Sequence, residues 1–279
     1  MVPMVTRAAA IATAAARLAE ASATPRLDAE LLMAHQLGTS REAMLLAGLQ
    51  LPVATGYDDL VARRADHEPM AYILGERDFW TITLKVTPGV LVPRPDSETL
   101  IEAAVASFAG RTPPATILDL GTGSGALLLA ALDQWRDAIG IGVDSSPRAV
   151  AIAADNARRL RMGARATIVE GGWDAVGGRF DLILCNPPYI ESGADLPREV
   201  ADHEPPSALY AGPDGLDDYR AIAPLIPERL APGGVACIEI GAGQAHAASV
   251  LFAQAGLAVA VRRDLAGHDR CLIVTQRDG

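Results

Sequence analysis

The chain has 279 residues, 50% of them hydrophobic, and a formal net charge of −10, which allows one large domain or a large and a small one. With a pI of about 5.0 and a mean hydropathy of +0.20, it is a poor fit to a protein that tracks bare nucleic-acid phosphates, so no direct nucleic-acid binding is expected. No uninterrupted apolar run of about 18 residues argues for a membrane span, and Cys185, Cys237 and Cys271 sit in apolar runs without metal-ligand spacing, as buried thiols of a cytoplasmic, metal-free protein would.

The Ala-rich N-terminus resembles a targeting segment at first sight. It carries Arg17 and Glu20 and has no compact Leu-rich core, so it reads as the first helix, over 6–21. A second helix is expected over 26–36, with Leu27, Leu31, Leu32 and Ala34 on its apolar face. Helices over 41–47 and 57–66 follow, separated by Pro52 and Gly56. Residues 1–78 thus read as a small helical domain without a catalytic constellation, suited to recognition. Residues 79–92 read as a β-hairpin linker, with a strand over 81–86, a turn at Pro88-Gly89 and a return over 90–92. In PRPDSE, Asp96 or Ser97 is a candidate cap for a helix reaching about residue 108. Arg94, pinned between two prolines, is placed for a ligand or a loop.

From residue 115 strands and helices alternate. Strands are expected over 115–120, 139–144, 165–170, 180–185, 235–240, 257–263 and 271–276. Helices are expected over 126–134, 147–161, 219–230 and 244–255. This is α/β patterning, a Rossmann-like seven-stranded, mostly parallel sheet filling a domain over 79–279. Ligands of such sheets bind at the carboxyl ends of strands near the switch point. The unusual residues fall there: 119–125, Asp144, 171–174 and 186–189.

DLGTGSG (119–125) is a strand-to-helix turn. Gly121 and Gly123 permit close approach of a ligand, and Gly125 tight helix packing. The spacing is shorter than GxGxxG, and Asp119 sets a carboxylate where a pyrophosphate would lie. A cationic, phosphate-free ligand such as S-adenosylmethionine suits this loop, which includes Thr122, better than a dinucleotide. Asp144 can accept two ribose hydroxyls; the alternative, a helix cap, is already supplied by Ser145 or Ser146. Trp173 offers a face to adenine or is an ordinary core aromatic.

The strand 180–185 ends in Asn186-Pro187-Pro188-Tyr189. An amide or exocyclic amino nitrogen is a poor nucleophile because its lone pair is delocalised. The Asn186 oxygen and the Pro187 carbonyl can grip its two hydrogens, the prolines fix that carbonyl, and Tyr189 can stack on the planar group. This is catalysis by positioning and electrostatics, with the methyl already activated on a sulfonium. A strand-ending turn explains the prolines but neither Asn186 nor Tyr189.

DLGTGSG followed by NPPY is similar to the amino-directed methyltransferases. GERDFW, LVPRPDSE, LDLGTGSG, VDSSPRAV, CNPPYI, GPDGLDDYR, PGGVACIEIG and DLAGHDR together resemble the release-factor glutamine methyltransferases, the HemK/PrmC family. The resemblance implies methylation of the side-chain amide nitrogen of the glutamine in the Gly-Gly-Gln loop of bacterial peptide-chain release factors, which tunes translation termination. It implies that the helical domain holds the release factor. Asn186, Pro187, Pro188 and Tyr189 would then face the amide, with Arg94 close by. Asp119, Gly121, Thr122, Gly123, Gly125, Asp144, Trp173 and Asn186 would surround the donor. Two positions depart from the family. Gly172 stands where an acidic residue usually precedes the aromatic, leaving adenine to backbone groups or Asp174. His203-Glu204-Pro205-Pro206 replaces the usual Phe-Glu-Pro-Arg.

The competing readings are a ribosomal-protein glutamine methyltransferase, a DNA amino methyltransferase, a catalytically silent binding module and an NAD-linked oxidoreductase. The DNA enzyme would add a target-recognition domain and basic clefts, the silent module is opposed by the intact Asn186 and glycine loop, and the oxidoreductase by the carboxylate at the phosphate position.

Overall fold

The strand–helix alternation beyond residue 115 folds into one seven-stranded sheet in the computed structural model, which describes residues 5–277. The first four residues of the Ala-rich N-terminal stretch and the last two of the chain lie outside the described residues. The chain divides into two units, Met1–Gly75 with Leu196–His203, and Glu76–Asp195 with Glu204–Gly279.

The first unit is helical: Arg7–Arg17, Pro25–Gln36, Arg41–Ala47, Tyr57–Ala65, Met70–Leu74 and the single turn Arg198–Ala201. Thr6 and Ser40 cap the first and third helices by accepting the amides of Ala9 and Ala43, each satisfying a donor the helix leaves orphaned. Ile11, Leu18, Leu32, Met33, Met44, Tyr57 and Val61 form the core. The second helix buries Leu32 and Ala34 as expected but departs from the expected face at its start. Leu27 is exposed, whereas Asp28 and Glu30 are buried, because each carboxylate finds arginine partners. Arg64 Nε meets Asp28 at 2.8 Å, and Arg26 and Arg41 both reach Glu30. Arg64 also pairs with Glu199 at 3.0 Å, which ties the turn at 198–201 into this unit.

The second unit begins with a hairpin of β1 (Glu76–Phe79) and β2 (Ile82–Lys85). The expected return strand at 90–92 is therefore a correction. The reversal comes earlier, at Trp80, whose φ of 55° makes the tight turn. Val90 and Val92 are buried in an irregular segment. Asn156 fastens the hairpin to the sheet by accepting the Lys85 amide at 2.8 Å and donating to the Lys85 and Ser124 carbonyls.

The sheet comprises β3 (Thr116–Leu120), β4 (Ile139–Asp144), β5 (Ala166–Glu170), β6 (Phe180–Cys185), β7 (Leu230–Glu239), β8 (Leu257–Arg263) and β9 (Asp269–Gln276). Its order is β5-β4-β3-β6-β7-β9-β8. The strands from β3 to β7 are parallel, and β9 is antiparallel to both β7 and β8. Helices cover both faces, so alternate residues of one strand enter different cores. Leu182 and Leu184 join the cluster under the helix Ala126–Gln134, while Ile183 and Cys185 join the cluster with Tyr219 and Phe252. The helix expected over 219–230 is broken into Asp217–Ile222, a tight turn at Ala223–Leu225 and Ile226–Arg229. Pro224 and Pro227 each remove a helical N–H donor. Among the described residues no helix is long and apolar enough to cross a membrane.

Candidate active site

The chain order reverses between β3 and β6, and their registered ends, Leu120 beside Cys185, bring the glycine loop next to Asn186. A cavity of about 240 Å³ opens there. Gly121, Gly123, Asp144, Trp173, Asn186 and Pro188 are among its lining residues. Thus half of the site residues singled out from the sequence line one cavity, at the strand ends where open α/β sheets bind ligands.

Gly121 has φ of 71°, and a Cβ there would come within 3.1 Å of the Trp173 ring. The absent side chain is what lets the ring close over the loop. Asp144 Oδ2 accepts the Gly123 amide at 2.8 Å and Oδ1 accepts the Ser146 amide at 2.9 Å. Ser146, in turn, caps the helix Pro147–Arg159, so Asp144 is not needed as that cap. A carboxylate has about four lone-pair sites, so acceptor capacity remains for vicinal hydroxyls.

Asp119, Thr122 and Gly125 lie outside the cavity wall. Asp119 is fully buried; its Oδ2 accepts the Thr122 hydroxyl at 2.6 Å and the Leu128 amide at 3.3 Å. It ties the loop to the start of the following helix. Its Oδ1 is buried with no partner, and burial pushes its pKa up to about 7. An orphaned acceptor at the base of a glycine loop fits a ligand with a cationic group. Trp173 Nε1 donates to Asp218 Oδ1 at 3.1 Å. Asp218 itself lines the cavity, and burial raises its pKa, with the Trp173 hydrogen bond opposing. Asp174, the sequence-based alternative near adenine, is exposed and absent from the lining.

Asn186 donates Nδ2–H to Ser97 Oγ at 3.1 Å. The amino end of the carboxamide is thereby taken, and Oδ1 is the end left for a ligand. Neither Ser97 nor Asp96 acts as a side-chain cap of the helix Glu98–Ser107; Ser97 serves Asn186 instead. Pro187 is buried. Tyr189 donates its hydroxyl hydrogen to Glu239 Oε1 at 3.3 Å, and its backbone carbonyl accepts from Gln244 Nε2 at 2.9 Å. Burial, and then the charge of Glu239, raise the phenol pKa. Gly215 closes the packing on this segment. At its φ of 68° a Cβ would meet the Tyr189 carbonyl oxygen at 2.4 Å. Arg94 does not line the cavity; it pairs with Glu204, which also accepts the Val92 amide at 3.2 Å. Of the two placements open to Arg94, ligand or loop, the structure gives the loop.

The chain pattern alone leaves Asp218, Gln244 and Glu239 unmarked. A lone acid in the apolar run VACIEI was the one available signal for Glu239. Among the described residues no group of three or more His, Cys, Asp or Glu is placed to hold a metal ion.

Two family models match the sequence: the PrmC N-terminal domain over residues 9–75 and the methyltransferase small domain over residues 96–202. The release factor glutamine methyltransferase of Rhodospirillum rubrum is 46% identical over 260 residues, covering 91% of this chain and 79% of that protein. Its counterpart from Cereibacter sphaeroides is 44% identical over 272 residues, covering 95% of this chain and 94% of that protein. Among solved structures, the T. thermophilus 16S rRNA N2 G1207 methyltransferase in complex with AdoMet and guanosine superposes with a TM-score of 0.52 at 21% identity, over 72% of this chain and 50% of that one. The ribosomal protein L11 methylase of Lactobacillus delbrueckii gives 0.50 at 20% identity, over 70% and 86%. At such identities these structures share the fold alone.

Proposed function

Because this chain belongs to the release factor glutamine methyltransferase family, we propose that it transfers a methyl group from S-adenosylmethionine to the side-chain amide nitrogen of the Gly-Gly-Gln glutamine in bacterial peptide-chain release factors. The observation that carries this reading is Asn186. It stands at the end of β6 on the cavity wall, with its amino end held by Ser97 and its oxygen left over.

Asp144 would take the ribose hydroxyls, and the Trp173 face and Asp218 would lie at the adenine. The Gly121 and Gly123 backbone would lie along the donor, with Asp119 behind the loop bracing it through the Thr122 hydroxyl and the Leu128 amide. When bound, this donor supplies a methyl already activated on a sulfonium, so no metal and no strong general base are called for. The Asn186 oxygen and the Pro187 carbonyl accept the two hydrogens of the substrate NH2 and hold the nitrogen lone pair toward the methyl. Tyr189, fixed at its hydroxyl and at its carbonyl, packs on the planar amide and excludes water. The S–CH3 bond breaks as the N–CH3 bond forms, leaving the thioether S-adenosylhomocysteine, and the methylated nitrogen releases one of its protons. We assign recognition of the protein substrate to the helical unit, which the PrmC N-terminal model matches and which carries no catalytic constellation. A substrate of the translation machinery implies a cytoplasmic enzyme, and the acidic chain gives no reason to expect direct nucleic-acid binding.

The test is radiolabelled methyl transfer from S-adenosylmethionine to purified release factor, its loop Gln→Ala variant, ribosomal protein and DNA. Label confined to the release factor with an intact loop is expected. Labelling of DNA or ribosomal protein alone, or equal labelling of the loop variant, refutes the assignment.

A further inference from the structure

Gln244 stands at the start of the helix Ala245–Gln254, where its side chain makes no capping bond. The carboxamide is taken up instead by three main-chain groups. Nε2 donates to the Tyr189 carbonyl at 2.9 Å and to the Gly215 carbonyl at 3.2 Å, and Oε1 accepts the Gly241 amide at 3.1 Å. Two acceptors at one end and a donor at the other leave the carboxamide a single orientation. Two glycines make room for it. A Cβ at Gly215 would come 2.6 Å from Nε2, and a Cβ at Gly241 would come 2.8 Å from Oε1 and 3.4 Å from Cδ2 of the Tyr189 ring. One side chain therefore joins the Asn186-Pro187-Pro188-Tyr189 turn to the chain just past β7 and to the loop before the helix Asp217–Ile222. Gln244, Tyr189, Gly215 and Gly241 all lie outside the lining of the cavity assigned to the donor.

We propose that Gln244 is a positioning residue for methyl transfer, holding the Tyr189 ring where it packs on the substrate amide. The inference rests on the amide-packing role given to Tyr189 above. Pro187 and Pro188 have no N–H with which to anchor the turn. The Tyr189 hydroxyl meets Glu239 Oε1 at 3.3 Å, which fixes the outer end of the ring and leaves it able to swing about that point. The bond from Gln244 fixes the other end, at the main chain, and two fixed ends set the direction of the ring. An amide stacked on a ring held in this way keeps its nitrogen lone pair aimed at the methyl. An error of about an ångström in that aim costs on the order of a hundredfold in rate.

The three main-chain partners ask for glutamine at this place. A carboxylate of the same length would keep an acceptor for Gly241 but set its second oxygen against the Tyr189 and Gly215 carbonyls. A thioether of similar size fills the space and leaves all three groups without their partner, so the Tyr189 carbonyl can turn. Gly241 offers a gentler perturbation. Its φ is not positive, so alanine is unstrained there, and the added Cβ pushes on the end of the Gln244 side chain without removing the carboxamide.

The experiment compares the full chain with Gln244→Met, Gln244→Glu, Gly241→Ala and the double variant of Gln244→Met with Gly241→Ala. For each, kcat and KM for release factor are measured well below its thermal unfolding midpoint, and donor affinity by calorimetry. In Gln244→Met and Gln244→Glu, kcat is expected to fall on the order of a hundredfold, with donor affinity nearly unchanged. Gly241→Ala is expected to lower kcat in the same way, and the double variant to be no slower than Gln244→Met, because both changes act on one contact. A role in folding alone would lower the midpoint and leave kcat as in the parent. That result, a loss of donor affinity in step with kcat, or additive losses in the double variant overturns the proposal. If Gln244→Met does not fold, Gly241→Ala decides by the same comparison. A substrate-free readout separates this inference from the function above. The Tyr189 ring resonances are expected to shift in Gln244→Met and Gln244→Glu, and the Gly241 amide to exchange faster in Gln244→Met, while the Gly121 and Gly123 resonances stay in place. Unmoved Tyr189 resonances overturn the inference, whereas a chain that shows the shifts but methylates no release factor refutes only the function.

Discussion

Replacing Asp144 by asparagine tests the donor site with the least change of shape. The two carboxylate oxygens each accept a backbone amide, from Gly123 at 2.8 Å and from Ser146 at 2.9 Å. The asparagine keeps one acceptor and turns an NH2 against the other N–H. One hydrogen bond to a carboxylate is lost, worth about 1.5–3 kcal/mol. The same oxygen would also have carried a ribose hydroxyl, so loop order and donor contact suffer together. At about 1.4 kcal/mol per factor of ten, S-adenosylmethionine should bind roughly ten- to a hundredfold more weakly. Calorimetric titration with S-adenosylmethionine and S-adenosylhomocysteine measures this, with thermal unfolding run alongside. A variant that loses stability but binds both ligands as tightly as the parent would refute the ribose assignment and leave Asp144 as a loop anchor only.

Asn186→Ala should lower methyl transfer to the release factor by about a hundredfold or more while calorimetric donor affinity stays within about threefold; loss of donor binding would reassign the residue. Gly215→Ala places a Cβ 2.4 Å from the Tyr189 carbonyl oxygen at a φ of 68°. It should cost about 2 kcal/mol or more, read by denaturant unfolding, and an unchanged midpoint would show that the loop yields freely. The pKa of Asp119 is raised by burial from 3.8 to about 7, so the folded chain holds a proton that the unfolded chain releases. Its stability contribution is fully present below the unfolded value and is lost as pH rises through the folded one, at about 1.4 kcal/mol per pH unit. Asp119→Asn should remove this share of the slope in denaturation at stepped pH, and an unaltered slope would contradict it.

The donor loop and the strand ending in Asn186-Pro187-Pro188-Tyr189 were legible because their signals are local. A run of apolar residues, a glycine turn and two prolines state their own backbone geometry. Pro224 and Pro227 carried an equally local signal, that the helix over 219–230 could not be continuous. The hairpin was harder: the residue type at Trp80 gives no hint of a positive φ, so the reversal was sought at Pro88-Gly89. The start of the second helix was misjudged for another reason. Burial of Asp28 and Glu30 depends on Arg64, Arg26 and Arg41 arriving from three places in the chain.

By itself, then, the order of residues determined the alternation of strands and helices, the glycine loop at the end of β3 and the Asn-Pro-Pro-Tyr turn at the end of β6. Each depends on groups within a few residues of one another. Only the tertiary structure decided that Arg94 serves Glu204, that Trp173 meets Asp218, and that Ser97 holds the amino end of Asn186. These partners are 45 to 110 residues apart, as with Trp173–Asp218 and Arg94–Glu204. A hydrogen bond needs its donor and acceptor placed within a few tenths of an ångström, and in a parallel sheet that placement follows from strand order and register, which no short stretch of chain contains.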